Sequence, residues 1–397
     1  MKILYIHQYF RTPYQSGGTR SYWICQELIK NGHQVTMLTT SNEISNRIEK
    51  INIDGIDVIY LKVPYDNYMS IIRRILSFVN FMFKSTWIAF KQKDIKLVIA
   101  TSTPLTVGFP ALIIKIFKKI PYVFEVRDLW PEVPIQMGGL NNKILIKFAL
   151  WFEKAIYKNA THIIALSPGM EEGVIARDIP KEKVSMIPNM SKIEEFWSRE
   201  RNPELYDKLG VSKTSFKIVY FGAMGVANDM DYILDAVKLL GNNKNIEFLF
   251  LGDGATKPHL ENRCKTENIR NVFFLGKFPM TELSEIINIC DVSLVTFMNL
   301  PILATNSPNK LFDSLSAGKA IIVNSAGWTK DMVEKHQCGL YVNPERPLEL
   351  ADNILLLKNN PNLTAEMGKN SRELAENVYD KSILCEEFGK IIDSLKI

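Results

Sequence analysis

Short apolar runs alternate with longer amphipathic stretches along the whole chain, a rhythm that predicts strands alternating with helices. Lys2 to His7 reads as a buried strand, followed by a loop from Gln8 to Thr19 and a helix over Arg20–Lys30 that Gly32 closes. Further strand-like runs lie at Gln34–Thr39, Val58–Val63, Lys96–Thr101, Tyr122–Val126, His162–Leu166 and Val184–Asn189. Runs this short and this uniformly apolar suit parallel strands buried on both faces. From Met190 to Ser215 the chain turns polar and irregular and reads as a linker. The alternation then resumes, with strands over Phe216–Phe221, Ile246–Leu251, Val272–Leu275, Val292–Val295, Ala320–Val323 and Gly339–Val342. Helices are expected over Asp231–Leu240 and Met280–Cys290, with two more at the C-terminus. The prediction is an α/β protein of two Rossmann-like, doubly wound domains facing one another across a cleft. The expected bounds are 1–195, 196–375, and a C-terminal helix over 376–397 packing back on the first domain.

The stretch from Ser307 to Val323 organises the second half. Pro308 suits the first turn of a helix, Leu311, Leu315 and Ala317 line one face, and Gly318 stops the helix as a left-handed cap. A helix start with free N–H groups, ahead of a buried parallel strand, is an anion-binding construction. Asp313, one turn past Asn309, could then accept hydrogen bonds from ligand hydroxyls. An ordinary α/β unit with a solvated aspartate and lysine reads the same pattern equally well. The paired Gly17 and Gly18 before the first helix allow a ligand close to the backbone, although a plain turn would use them too. They are not the G-x-G-x-x-G dinucleotide fingerprint. Gly222 and Gly225, and Gly252 and Gly254, follow strands and belong at the cleft edge. Arg127, Asp128 and Glu132 follow the Tyr122–Val126 strand, where open α/β sheets bind ligands. The alternative is that Arg127 pairs with a carboxylate for structural reasons.

Composition narrows the class. A chain of 397 residues exceeds one typical core. A net charge of +5 does not call for nucleic acid. The five cysteines show neither metal-ligand spacing nor a disulfide framework, which suits a reducing cytoplasm. Met1-Lys-Ile-Leu-Tyr-Ile is too short for the apolar core of a signal peptide, and no apolar stretch is long enough to span a bilayer. Three basic, apolar segments stand out instead. Tyr65–Lys93 mixes Ile72, Ile75, Leu76, Phe83 and Trp87 with Arg73, Arg74 and Lys84, and Ile113–Lys119 continues the theme. In the helix predicted over Lys143–Lys158, four lysines fall within about 60° of arc. Such stripes suit the surface of an anionic bilayer. Core helices with a solvated lysine face are the alternative.

Further marks complete the set: Gly32-His33-Gln-Val35, Arg127-Asp-Leu-Trp-Pro131, Ile187-Pro-Asn189, Gly222-x-x-Gly225, Gly252-Asp-Gly254, Asn271-Val-x-Phe-x-Gly276, Ser307-Pro-x-Lys310 and Asp313-Ser-Leu-Ser-Ala-Gly-Lys319. In this order and spacing the chain resembles the retaining glycosyltransferases of family 4, with the GT-B fold. It looks closest to bacterial surface-polysaccharide transferases, including those that move N-acetyl-L-fucosamine from its UDP donor to a lipid-linked sugar. The resemblance implies that Asp313 takes the ribose hydroxyls, and that Gly222 and Gly225 bring backbone to the diphosphate. Gly252 belongs to the same donor-binding set. Backbone N–H groups at Thr305, Asn306 and Ser307 would reach donor phosphate or sugar, with Gly17 and Gly18 approaching as well. Lys310 would stabilise the leaving UDP. The chain departs from the family pattern at three places. Thr305 stands where the first acidic residue of the E-x7-E motif belongs, Gly222 to Asn228 contains no base, and Arg127 stands where a histidine is usual. Lys310 and Arg127 would take up the lost charge, leaving Lys310, Arg127 and Asp128 as the catalytic candidates.

The implied reaction is transfer of a sugar from a UDP-sugar, with retention, to an undecaprenyl-diphosphate-linked saccharide in O-antigen, capsule or exopolysaccharide synthesis. The donor is a substrate, and neither a cofactor nor a metal is expected. The basic first half would dock on the inner face of the cell membrane. Two rivals share the architecture: a UDP-sugar 2-epimerase and an inactive nucleotide-sugar-binding subunit.

Overall fold

A computed structural model describes residues 1–15, 17–65 and 69–395. Ser16, residues 66–68 and residues 396–397 lie outside the described residues, as does the side chain of Ile71. These positions fall in the expected first loop, the first basic–apolar segment and the C-terminal helix. The chain divides into two compact units. The first holds Met1–Thr12, Gly18–Pro188 and the chain from Ser382, and the second holds Pro13–Gly17 and Asn189–Lys381.

The first unit runs β1 (Lys2–Ile6), α1 (Arg20–Lys30), β2 (Gln34–Ser41), β3 (Ile48–Ile53), β4 (Ile56–Lys62), α2 (Ile71–Lys91) and β5 (Leu97–Thr101). It continues with α3 (Gly108–Lys118), β6 (Tyr122–Val126), α4 (Glu132–Gln136), α5 (Lys143–Asn159), β7 (His162–Ala165), α6 (Pro168–Ile175) and β8 (Val184–Met186). Its sheet has the order β3-β4-β2-β1-β5-β6-β7-β8. All pairings are parallel except β3 with β4. Every residue of β5 and β6 is buried, as a central parallel strand covered on both faces should be. The sequence pattern does not predict β3, because this edge strand keeps most of its side chains exposed and carries no apolar run.

Inside this unit the Arg20 side chain is 2% exposed. Its Nε donates to Glu125 Oε1 at 2.8 Å and its Nη2 to the Ile187 carbonyl at 3.0 Å, while Nη1 donates to the Pro188 carbonyl. Thr101 Oγ1 donates to the other Glu125 oxygen at 3.0 Å. One buried guanidinium thus ties the start of α1 to β6 and to the chain leaving β8.

The second unit runs α7 (Pro203–Leu209), β9 (Phe216–Ala223), α8 (Met230–Leu240), β10 (Ile246–Asp253), α9 (Lys257–Thr266), β11 (Val272–Gly276), α10 (Met280–Asn288) and β12 (Val292–Val295). Then follow α11 (Asn309–Ser316), β13 (Ala320–Val323), α12 (Trp328–Lys335), β14 (Gly339–Tyr341), α13 (Pro347–Asn359) and α14 (Pro361–Leu374). Its sheet is parallel throughout, in the order β11-β10-β9-β12-β13-β14. The chain ends in α15 (Lys381–Ser394), so three long helices close it where the sequence pattern gives two. Asp393 of α15 accepts from His33 Nε2 at 2.7 Å and from Asn31 Nδ2 at 3.3 Å, beside α1.

The expected linker over 190–215 is instead built into the second unit. Phe196, Tyr206 and Val211 are buried in the cluster formed by Val219, Phe221, Leu249 and Ile287. Ser191 Oγ donates to the Phe312 carbonyl at 3.0 Å, and the Lys192 amide donates to Ser316 Oγ at 2.9 Å. The polar residues that suggest a linker are bonded to a helix more than 100 positions away. The units therefore change over at 188/189 and 381/382, not at 195/196 and 375/376.

Among the described residues no helix is long and apolar enough to cross a membrane. For the buried ion pair, Arg20→Met is expected to cost about 3–5 kcal/mol because it strands the Glu125 charge. The double substitution Arg20→Met with Glu125→Met should cost much less. Calorimetric unfolding of the three proteins checks this, and an additive loss would contradict it.

Candidate functional site

In the second unit the chain order reverses between β9 and β12, which pair directly while β10 and β13 lie on opposite sides. Loops leaving such a switch point diverge and open a crevice at the carboxyl ends of the strands. The loops after β9 and β12 are tied there by Thr296 Oγ1 donating to the Asn228 carbonyl at 2.8 Å and the Met298 amide donating to Ala227 at 3.0 Å. Gly222 has φ 128°, and a Cβ on it would lie 3.4 Å from Lys310 Cε. Gly252 has φ 139°, and a Cβ there would collide with the Gly222 carbonyl oxygen. The close approach at Gly252 is thus one backbone strand on another. Gly225 takes an extended conformation, φ −110° and ψ 166°.

Helix α11 projects Lys310 toward this loop. Its ammonium donates to Tyr220 Oη at 2.7 Å and to Asn228 Oδ1 at 3.0 Å, and it stands 4.0 Å from the Tyr220 ring centroid. The Tyr220 hydroxyl in turn donates to the Ala223 carbonyl at 2.6 Å. These partners are neutral, as is the Phe297 ring 5.7 Å away, and among the described residues no carboxylate reaches Lys310. Burial therefore pulls its pKa down to about 7. The solvated-lysine reading of this helix is corrected: Lys310 is 9% and Asp313 7% exposed.

Asp313 is held from the strap Asn189–Lys192. Lys192 Nζ lies 2.8 Å from Asp313 Oδ1, with both side chains buried. Burial raises the Asp313 pKa, and the Lys192 ammonium opposes that rise. At the start of α11, the Asn189 amide donates to Ser307 Oγ at 3.1 Å and its side-chain amide to the Ser307 carbonyl at 2.5 Å. Pro308, with ψ 130°, stands immediately before the helix and not inside its first turn. Thr305 Oγ1 donates to the Ile302 carbonyl at 2.7 Å, so the residue at the missing carboxylate position is bonded to its own turn. Asn306 accepts from Trp328 Nε1 through its carbonyl at 2.7 Å, while its buried side-chain oxygen has no partner among the described residues. Gly318 is left-handed at φ 62°, as its role as a helix stop requires.

In the first unit, Asp128 accepts from Thr103 Oγ1, and burial raises its pKa. Arg127 does not pair with a carboxylate among the described residues. Its Nη1 lies 3.4 Å from His7 Nε2, and its amide donates to Ser102 Oγ at 3.0 Å. Because a guanidinium only donates, His7 Nε2 is the acceptor and Nδ1 carries the proton toward Ser21 Oγ at 2.8 Å. Burial and the nearby Arg127 hold the His7 pKa well below its usual value. Glu132 accepts from Gln136 at 2.9 Å and lies 3.7 Å from Arg177, a structural pairing. Gly17, which belongs to the second unit, has φ 127° and is exposed, and Gly18 of the first unit is half-buried.

Thus Lys310, Asp313, Ser307, Gly222, Gly225 and Gly252 come together in the second unit, while Arg127 and Asp128 belong to the first. Sequence reasoning missed Lys192, Tyr220, Asn228 and His7. Asn228 ends the glycine loop and His7 directly follows the first strand, so both carried a positional signal. Tyr220 and Lys192 carried none.

A glycosyl transferase 4-like domain model matches residues 17–190, and a glycosyl transferases group 1 model matches residues 202–374. The chain is 24% identical over 304 residues to the probable glycosyltransferase WbjE of Pseudomonas aeruginosa, covering 72% of this chain and 73% of that one. Among solved structures, sucrose-phosphate synthase from Thermosynechococcus elongatus aligns with TM-score 0.77 at 17% identity, over 99% of this chain and 98% of that one. Anabaena HepE, solved in complex with UDP-glucose, aligns with TM-score 0.72 at 18% identity over 100% of both chains. Two parallel-sheet α/β domains, two adjoining glycosyltransferase domain matches and these relatives give one conclusion: the chain belongs to the GT-B glycosyltransferases.

Proposed function

We propose that the protein transfers a sugar, with retention at the anomeric carbon, from a UDP-sugar to a lipid-linked saccharide of bacterial surface-polysaccharide synthesis. N-acetyl-L-fucosamine and other N-acetylamino sugars are the first donors to test. The observation that carries this reading is Lys310, a buried ammonium among neutral groups at the crevice beside Gly222. A desolvated cation without a counter-charge favours an anion, and the diphosphate of a nucleotide sugar supplies one. HepE, solved with UDP-glucose, supports a uridine diphosphate donor.

In this mechanism the anomeric C–O bond to the β-phosphate breaks and the electron pair leaves with UDP. Lys310 meets the growing negative charge, a fixed electrostatic effect of the kind that often dominates catalysis. The acceptor hydroxyl attacks the oxocarbenium-like carbon on the same face. Its proton passes to the departing phosphate oxygen, so charge and atoms balance. In this reading Asp313 accepts from the ribose hydroxyls, and Asp128 of the first unit is assigned to a hydroxyl of the acceptor.

The first unit supports membrane docking. Helix α2 packs on α3 and α3 on α5, linked by Phe83, Phe109 and Phe152 with ring centroids 6.2 Å and 6.3 Å apart. On these helices Trp87 is 64%, Phe117 68% and Trp151 63% exposed. Lys91 stands 4.3 Å over the Trp87 ring and Lys118 4.8 Å over Phe90. Aromatic side chains flanked by ammonium groups fit an anionic lipid surface.

Lys310→Ala is expected to lower kcat by about 10²–10³-fold with UDP-sugar affinity also reduced, measured as UDP release with a lipid-linked saccharide acceptor. Lys310→Met preserves the apolar stem and keeps the test valid if the alanine variant unfolds. Near-normal turnover in a folded variant would remove the leaving-group role, and donor binding without transfer by the wild type would favour a non-catalytic subunit. For docking, Trp87→Ser with Trp151→Ser should weaken co-sedimentation with phosphatidylglycerol vesicles on the order of tenfold. Unchanged sedimentation would contradict the lipid face.

A further inference from the structure

Asp313 is not free to point where a ligand draws it. The strap Asn189–Lys192 runs along α11 and is bonded to it at both ends, at Ser307 and at Ser316, with Ser191 on the Phe312 carbonyl between them. The strap is itself fixed from outside, because the Ser191 amide donates to the Tyr379 carbonyl at 2.7 Å and its carbonyl accepts from the Lys381 amide at 2.9 Å. The Lys192 ammonium, 5.5 Å from the Phe196 ring centroid, is thereby aimed at one oxygen of Asp313. Among the described residues Oδ1 has no partner but this ammonium, and the second oxygen, Oδ2, takes no hydrogen bond.

We propose that Lys192 is a positioning residue of the donor site: its ammonium holds Asp313 Oδ1, so that Oδ2 accepts from the two ribose hydroxyls of a nucleoside diphosphate sugar. This rests on the reading of Asp313 as the ribose ligand. The physical need is plain. A carboxylate in this degree of burial drifts toward its neutral form unless a cation faces it. The other charged groups around it do not substitute for Lys192. Glu195, three residues past the strap, repels Asp313, and Lys381 is engaged by Glu195 at 2.6 Å and Glu194 at 2.8 Å. Arg372 donates to the Ser316, Phe196 and Ile193 carbonyls. Lys310, on the same helix, donates to Tyr220 and Asn228.

The sign of the pH effect follows. Without Lys192 the Asp313 pKa climbs further, so the carboxylate is lost as pH falls and regained as pH rises. Calorimetric titration of UDP into the full-length protein tests this as the ratio of variant to wild-type affinity at each pH, which cancels the titration of Lys310. Lys192→Met should weaken UDP binding on the order of tenfold at acidic pH, with the ratio narrowing toward alkaline pH. It should also reduce the preference for UDP over 2′-deoxy-UDP. Lys192→Arg should restore both, and Lys192→Met should add little to Asp313→Asn. A loss of equal size at every pH, or the same loss in the Asp313→Asn background, would reduce Lys192 to a structural part and overturn the proposal. Wild-type affinity in Asp313→Asn would instead remove the ribose reading itself, which leaves the UDP-sugar reaction of Lys310 separately testable.

Discussion

A lysine ammonium buried without a carboxylate is a costly object, and the second unit is arranged to hold one at Lys310. The other buried lysines of this chain are compensated. Lys192 faces Asp313, Lys381 faces two glutamates, and Lys217 lies 3.6 Å from Glu247. Lys319 caps the end of α10 through the Asn288 and Cys290 carbonyls at 2.9 Å and 2.8 Å, where a helix terminus carries partial negative charge. Among the described residues Lys310 has a phenol, two aromatic rings and an amide. Their dipoles orient the ammonium without neutralising it, which is the electrostatic condition for receiving a doubly charged leaving group.

Geometry explains why the lysine can be kept there. The bend at Gly222 leaves room for its stem, and Gly252 lets β10 approach β9 so closely that no side chain fits between the Gly252 backbone and the Gly222 carbonyl. Helix α11 is fixed along its length by the strap from Asn189 to Lys192 and on another side by Arg372. A cation and a carboxylate one turn apart on such a helix cannot drift independently. Little reorganisation remains when substrate binds, which is where preorganised charge gains its effect.

Much of this was legible in the sequence, because buried parallel strands and glycine loops write strong local patterns. The β-α-β rhythm, α11 and the Gly318 stop read directly from apolar runs and punctuation. What escaped depended on long-range pairing. The edge strand β3 carries no apolar run, and the strap at 189–192 looks like linker because its bonding partners lie far away in sequence. Lys310 and Asp313 could be chosen from the motif. That one is unpaired and the other paired could not, since the pairing is decided by Lys192, Tyr220 and Asn228. The departures from the family pattern at Thr305 and Arg127 are likewise resolved locally. Thr305 bonds within its own turn, and Arg127 packs against a neutral His7.

The central claim is that the donor diphosphate supplies the charge Lys310 lacks. Burial pulls the Lys310 pKa down to about 7, so the free protein gives up this proton more readily as pH rises, and a bound diphosphate should restore it. Calorimetry of UDP binding at a pH above that value, in buffers of different ionisation enthalpy, measures the protons taken up. Net proton uptake on UDP binding, abolished by Lys310→Met, is the predicted result. Binding of UDP with no proton uptake, or with uptake that survives the substitution, would contradict the account.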